Sequence, residues 1–347
     1  MKNVVVVVIL LVISISCKKK TEFVPRHFKS VEIETILEDS LLSVRAIEIL
    51  EDKSLAFAAN NGAFGLYNPN TKMWQTSKQS YDSLSLHFRA VAHTPTDFFM
   101  LSIESPGLLF KTGQGAMQLV YKEEAKGVFY DAMRFWNDKE GIAVGDSVEG
   151  CLSIILTRDG GVTWDKIPCS KIPKLDEGEG AFAASNTNIT VVGEKAWVAT
   201  SKGNIYFTAD KGITWFVTKT PIIQEEDTEG IYSIDFYNDQ IGYAIGGNFM
   251  KPDANRSNKI KTIDGGKTWK VVADGQNPGY RSCVQYIPNA KGTSLAAVGF
   301  KGIDFSKDGG ESWQHISDEP FYTIRFLNDS VAFAGGSKRI AKLTFKE

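Results

Sequence analysis

The sequence predicts an all-β protein, a seven-bladed β-propeller of four-stranded blades whose ring is closed by an N-terminal strand. Three observations carry this. A short turn phrase built on Asp, Gly and Trp recurs along the chain. A pair of apolar, β-prone runs recurs seven times at a spacing of about 40–50 residues, the sequence signature of propeller blades. The composition is globular (43% hydrophobic, 23% charged) but carries 31 Gly and 7 Trp, as a turn-rich, hairpin-built chain requires. The same composition excludes a disordered chain or a collagen-like fibre. With 39 Lys+Arg against 41 Asp+Glu, the net charge of -2 also argues against a nucleic-acid binder, which works by neutralising phosphates.

Taken in chain order, the first element is an address. Residues Val4 to Ile15 are apolar except for Ser14. At about 1.5 Å per residue this run is too short to cross a bilayer core of about 30 Å, and it has the size of a signal-peptide apolar region. Ser14-Ile15-Ser16-Cys17 follows. This resembles a bacterial lipoprotein signal, in which a small residue precedes a cysteine that is lipidated and becomes the mature N-terminus. The resemblance implies a signal peptide over 1–16, a lipid on Cys17 and a solvated tether over 17–27 that includes Lys18, Lys19 and Lys20. No Asp follows the cysteine, and by the same resemblance the expected address is the outer membrane of a bacterial cell envelope, periplasmic or surface-facing.

Residues 28–345 then read as one propeller. Phe28 to Ile36 alternates like a strand and precedes the first repeat, while the seventh repeat, Phe321 to Phe345, has only three strands and no turn phrase. The N-terminal strand is therefore expected to complete the last blade, which removes exposed sheet edges. A small residue in each inner strand recurs at Ala46, Ala90, Ala132, Ala183, Ser233, Ser282 and Thr323. A second apolar strand follows each, and blade 5 carries an insertion from Asn248 to Asn258.

The turn phrase stands complete at Thr157–Trp164, Thr208–Trp215, Thr262–Trp269 and Ser306–Trp313, with the pattern S/T-x-D-x-G-x-S/T-W. Decayed copies lie at Tyr67–Trp74, which keeps the Trp, and at Lys111–Gln118, which keeps Gly115 but neither Asp nor Trp. An apolar run before it and β-prone residues after it make it a hairpin turn. Gly supplies positive φ, and Asp159, Asp210, Asp264 and Asp308 accept backbone N–H bonds across the turn. Trp164, Trp215, Trp269 and Trp313 anchor the hairpins in apolar layers. The aspartates thus read as structural. The phrase resembles the Asp-box (BNR-type repeat) of sialidases, sortilin-type receptors and the photosystem II assembly factor family, which belong with WD40/YVTN-like propellers in architecture.

Cys151 and Cys169 lie on either side of the turn at Asp159-Gly160-Gly161, so hairpin pairing sets them opposite one another. A disulfide or two small buried thiols both fit. Cys283 reads as core. The four His are scattered and no C-x-x-C occurs, so neither a metal site nor a cofactor is predicted.

A propeller places the residue before each small inner-strand position near the channel mouth. That ring reads Arg45, Arg89, Asp131, Phe182, Tyr232, Arg281 and Tyr322. Blades 6, 7, 1 and 2 are neighbours, so Arg281, Tyr322, Arg45 and Arg89 are expected side by side, a set suited to carboxylate, sulfate or phosphate. The competing reading is a structural network in which these arginines pair with Asp131, Glu177, Glu179 or Glu229.

Two functions follow. Resemblance to the photosystem II assembly factor family, over nearly all of 28–345, implies a non-catalytic, monomeric, lipid-anchored propeller that binds a client protein or an anionic ligand at the channel mouth. Resemblance to sialidases implies instead a glycoside hydrolase for an acidic sugar. In it Arg45, Arg89 and Arg281 form the triad, Tyr322 or Tyr232 is the nucleophile, Glu229 its base and Asp131 the acid. Sialidases have six blades, so the expected seven weigh against that reading.

Overall fold

A computed structural model describes residues 23–347; the signal segment 1–16 and Cys17 lie outside them. Seven four-stranded antiparallel sheets make up the described residues, and among these helix is limited to two single 3-10 turns, Asn60–Gly62 and Cys169–Lys171. Six sheets run in plain sequence order from inner to outer strand. Their inner strands are Ala46–Ile49, Phe88–His93, Tyr130–Phe135, Ile189–Val192, Ile231–Phe236 and Cys283–Tyr286. The seventh takes Thr323–Phe326, Val331–Gly335 and Ser337–Lys346 from the C-terminus and Ser30–Ser43 from the N-terminus.

That closing strand is longer than 28–36. It pairs antiparallel from Ser30↔Lys346 to Ser43↔Ser337, with register shifts between Thr35 and Leu37 and between Glu38 and Ser43. Phe28, just ahead of it, is fully buried and packs against Phe305 of blade 6 and Phe345 of blade 7, at 5.1 and 5.5 Å between ring centroids. Closure is thus both a backbone ladder within blade 7 and an aromatic contact between blades 6 and 7.

The four repeated turns behave alike. In the first, Asp159 Oδ1 accepts the backbone N–H groups of Val162 and Thr163, and Oδ2 accepts the Thr163 hydroxyl at 2.6 Å. Thr157 Oγ1 donates to Asp159 and accepts the Gly161 N–H. Asp210, Asp264 and Asp308 make the equivalent bonds to Thr214, Thr268 and Ser312. Partial burial pushes each carboxyl up, but the donated hydrogen bonds outweigh it and hold all four low, Asp264 at about 2. The turn glycines take positive φ (Gly161 77°, Gly266 86°), and Gly161 lies so close to Phe99 of blade 2 that a Cβ would overlap its ring.

Each turn Trp fills the cleft toward the preceding blade. Trp164 meets Phe99, Trp215 joins the core of blades 3 and 4, Trp269 joins Trp197, and Trp313 Nε1 donates to Tyr243 Oη. Cys151 and Cys169 are joined across the blade 3 hairpin with Cα atoms 5.6 Å apart, and Cys283 is free and buried.

One assignment is corrected. Ala183 is not in the inner strand of blade 4, which is Ile189–Val192. The residues before Ile189 leave the sheet and enter the channel.

Phe28→Ala is expected to lower unfolding free energy by about 3–5 kcal/mol in denaturant titration, the usual cost of emptying a buried aromatic site. Asp264→Ala should cost about 1–2 kcal/mol, as loss of an N-cap does. The carboxyl is depressed in the fold, so its contribution is present above the unfolded value near 4 and disappears as pH falls through about 2. The gap in Tm between wild type and Asp264→Ala should accordingly be wide at pH 6 and narrow at pH 2.

Candidate functional site

The segment 181–188, Ala-Phe-Ala-Ala-Ser-Asn-Thr-Asn, crosses the central channel as irregular backbone. Its residues are small enough to pass between seven inner strands and polar enough to bond them. Asn186 Nδ2 donates to the Val91 carbonyl of blade 2 at 2.8 Å, and its Oδ1 accepts the Met133 N–H of blade 3 at 3.1 Å. The Thr187 carbonyl accepts the Ile234 N–H of blade 5. Ser185 Oγ donates to the Ser282 carbonyl of blade 6, and its carbonyl accepts Thr323 Oγ1 of blade 7. Arg45 Nη1 of blade 1 donates to the Ala184 carbonyl at 3.2 Å, and Arg89 Nη1 of blade 2 to the Ala183 carbonyl at 3.1 Å. Every other blade therefore holds this plug. Asn186 adopts φ 57°, a left-handed conformation that Asn tolerates better than most residues.

Above the plug lies a pocket of about 390 Å³. One wall is cationic. The Arg45 guanidinium stacks on the Tyr322 ring at 4.0 Å, with Arg89 beside it. Burial lowers the Arg89 pKa, and the nearby Arg45 charge lowers it further, against Asp131, Glu104 and Tyr322. Neither arginine makes an ion pair among the described residues, and Arg45 Nε is buried without a hydrogen-bond partner. The opposite wall is aromatic. Phe182 stacks face to face on Tyr232 (3.8 Å, 2°), and Tyr280 meets Tyr232 edge-on at 4.8 Å. Phe249 and Phe300, about 40% exposed, extend this wall toward solvent.

Three of the ring residues come from β-bulges. In blades 2, 3 and 5 the register skips one residue at the start of the inner strand, and the extra residues are Arg89, Asp131 and Tyr232. A bulge frees a side chain from the sheet's alternation and re-aims it.

Of the expected set, Arg45, Arg89, Phe182, Tyr232 and Tyr322 line the pocket. Arg281 and Asp131 do not. Arg281 is turned into blade 6, where Nε meets Asp304 at 2.5 Å and Nη1 donates to the Tyr280 carbonyl. The three-arginine cluster is therefore corrected to two, because Asp304, 1% exposed in the third strand, needs a cation. Asp131 is fully buried with both carboxylate oxygens unpartnered; burial, reinforced by Asp146, pushes its pKa well up against the opposing pull of Arg89. Sequence reasoning missed Tyr280, Phe249, Phe300 and the plug. The blade 5 insertion that carries Phe249 was the available signal.

Of the residues expected for glycoside cleavage, Tyr322 lines the pocket, whereas Tyr232 and Glu229 are engaged elsewhere. Tyr232 Oη donates to the Thr228 carbonyl, and burial pushes its pKa up. Glu229 accepts the backbone N–H groups of Glu225 and Glu226, and Glu179 accepts from Thr200 and Asn204. No group of three His, Cys, Asp or Glu is placed to hold a metal ion among the described residues.

Asn186→Ala should leave a buried carbonyl and a buried N–H unpaired, and reduce stability by about 2–5 kcal/mol in urea titration.

No family model matches the sequence, and no curated protein matches it. Solved structures do match its fold. YCF48 bound to D1 peptide superposes with a TM-score of 0.67 at 13% identity, covering 93% of this chain and 97% of that one. The RRP9 WD40 repeats give 0.64 at 10% identity, covering 92% and 99%. U3-55K gives 0.63 at 11% identity, covering 91% and 98%. At these identities the likeness establishes a shared seven-bladed propeller fold.

Proposed function

We propose that this propeller is a non-catalytic binding protein of the bacterial cell envelope, anchored by lipid on Cys17, that captures a client protein at the channel mouth. The observation that carries the reading is the two-walled pocket. Arg45 and Arg89 lie side by side and neither makes an ion pair among the described residues, so a bound carboxylate would relieve their mutual repulsion and take charge-assisted hydrogen bonds. The facing Phe182–Tyr232–Tyr280 wall offers a large apolar contact to the group next to that carboxylate. The ligand expected from this chemistry is a peptide segment in which an acidic side chain or a chain terminus adjoins an aromatic or aliphatic residue.

Two features support a protein client over a free metabolite. The aromatic wall continues through Phe249 and Phe300 into exposed surface, and the YCF48 structure holds a bound peptide. The hydrolase reading is less well supported, since Tyr232 and Glu229 are not placed as nucleophile and base for one another.

Hippurate, which joins an aromatic ring to a carboxylate, should bind measurably by calorimetry, and its amide should not. Arg89→Ala should weaken hippurate by about tenfold or more, the loss of a charge-assisted hydrogen bond worth about 1.5–3 kcal/mol. Equal binding by variant and wild type would remove the site assignment. Cys17→Ser should release the protein from the membrane fraction. Turnover of a fluorogenic sialoside would favour the hydrolase.

A further inference from the structure

The seven clefts between blades are not equally filled. Trp74 sits between blades 7 and 1, Trp164 between 2 and 3, Trp215 between 3 and 4, Trp269 between 4 and 5, and Trp313 between 5 and 6. Phe28, Phe305 and Phe345 fill the cleft between 6 and 7. The cleft between blades 1 and 2 has no Trp: Phe88 and Phe110 close its inner part, and its outer part is empty. Two positions there depart from the sister clefts. In blade 2 the turn position that carries Trp in blades 3–6 is Gln118. In blade 1 the second-strand residue facing the next blade is Ala56, where blades 2, 4 and 5 have Phe99, Trp197 and Tyr243.

The result is a cavity of about 810 Å³, open to solvent, between these two blades. Its walls include Ala56, Phe64, Leu66, Phe98 and Met117. Its rim is acidic. Glu51 and Asp52 come from the first turn of blade 1, and Asp97 comes from the matching turn of blade 2, where Lys111 already pairs with it. Glu51 makes no ion pair among the described residues, and Asp52 only caps Ser54. The cavity opens on the face of the repeated turns, away from the arginine pocket, so it does not depend on the channel-mouth reading.

We propose that this cleft is a second docking site, which receives a large aromatic side chain, best an indole, from a partner peptide with a basic residue beside it. The missing indole defines the shape: the same cleft in five sister positions closes around a Trp of the chain itself. The volume exceeds one indole and leaves room for the neighbouring residue, and the unpaired Glu51 and Asp52 complement a Lys or Arg at that point.

The test uses the peptide acetyl-Lys-(5-fluoro-Trp)-Lys-amide, titrated against the mature protein and followed by 19F NMR. Wild type should give saturable binding that weakens with added salt. Gln118→Trp supplies the indole from within; it should raise Tm and weaken the peptide at least tenfold. Ala56→Phe fills the cleft from the other wall and should also block the peptide, which keeps the test open if the first variant fails to fold. Arg45→Ala should bind the peptide as wild type does, so failure at the channel mouth and failure here remain distinct. Absence of saturable binding, equal binding of a peptide with Ser in place of the fluorotryptophan, or full binding to both cleft-filling variants would overturn the proposal.

Discussion

The channel plug is the constraint on which the rest of the molecule depends. Seven blades around an axis leave a hole lined by the inner-strand backbones and small side chains, and a hole of that kind must be filled or wet. Here it is filled by Ser185, Asn186 and Thr187, each buried and each bonded to more than one blade. Because one short segment touches six other blades, it fixes their distance from the axis together. The same segment decides the chemistry of the mouth. Its carbonyls at Ala183 and Ala184 take one N–H from each of Arg89 and Arg45, which holds the two guanidiniums at a set height and leaves their remaining donors unused. Phe182, from the same stretch, starts the aromatic wall.

This dependence also explains what could be read in advance. Blade number, strand order and the turn geometry were legible because they rest on local rules repeated several times: positive φ at Gly, an Asp that caps its own turn, a Trp at a constant offset. The plug obeys no repeated rule. Ala181-Phe182-Ala183-Ala184 looks like the start of an inner strand, and only the three-dimensional closeness of six other blades turns it into a crossing segment. Arg281 shows the same limit. It occupies the ring position next to the small-residue column, as Arg45 and Arg89 do, but a buried carboxylate on a different strand, Asp304, takes it out of the site. Such pairing belongs to the fold and has no local signature, although a lone Asp in an otherwise apolar third strand (Gly302–Ser306) is a hint that a cation lies nearby.

The two faces of the ring are built by different means. On one face, four turns share the same aspartate hydrogen bonds and the same Trp anchor, so their backbone donors are used internally. A face whose polar groups are already satisfied has little left to offer a ligand. On the other face the connections are irregular: bulges deliver Arg89 and Tyr232, an insertion delivers Phe249, and the plug delivers Phe182. Variation collects where no repeated hydrogen-bond pattern has to be kept, which is where binding residues are usually found.

The repeated face has one departure from this pattern, and it is the decayed turn of blade 2. A repeat protein that needs every cleft closed for stability would keep its Trp in each, and the ring tolerates the loss here because neighbouring contacts are dense. Phe88, Phe98, Met100, Leu108 and Phe110 close the inner part of the cleft between blades 1 and 2, so only its outer part is empty. Leaving an apolar cavity of that size uncovered forgoes the dispersion contacts that a Trp makes in five sister clefts. Two positions depart from the sister clefts: Gln118 stands at the turn position of the Trp, and Ala56, which lines the cavity, stands where blades 2, 4 and 5 have a large aromatic residue.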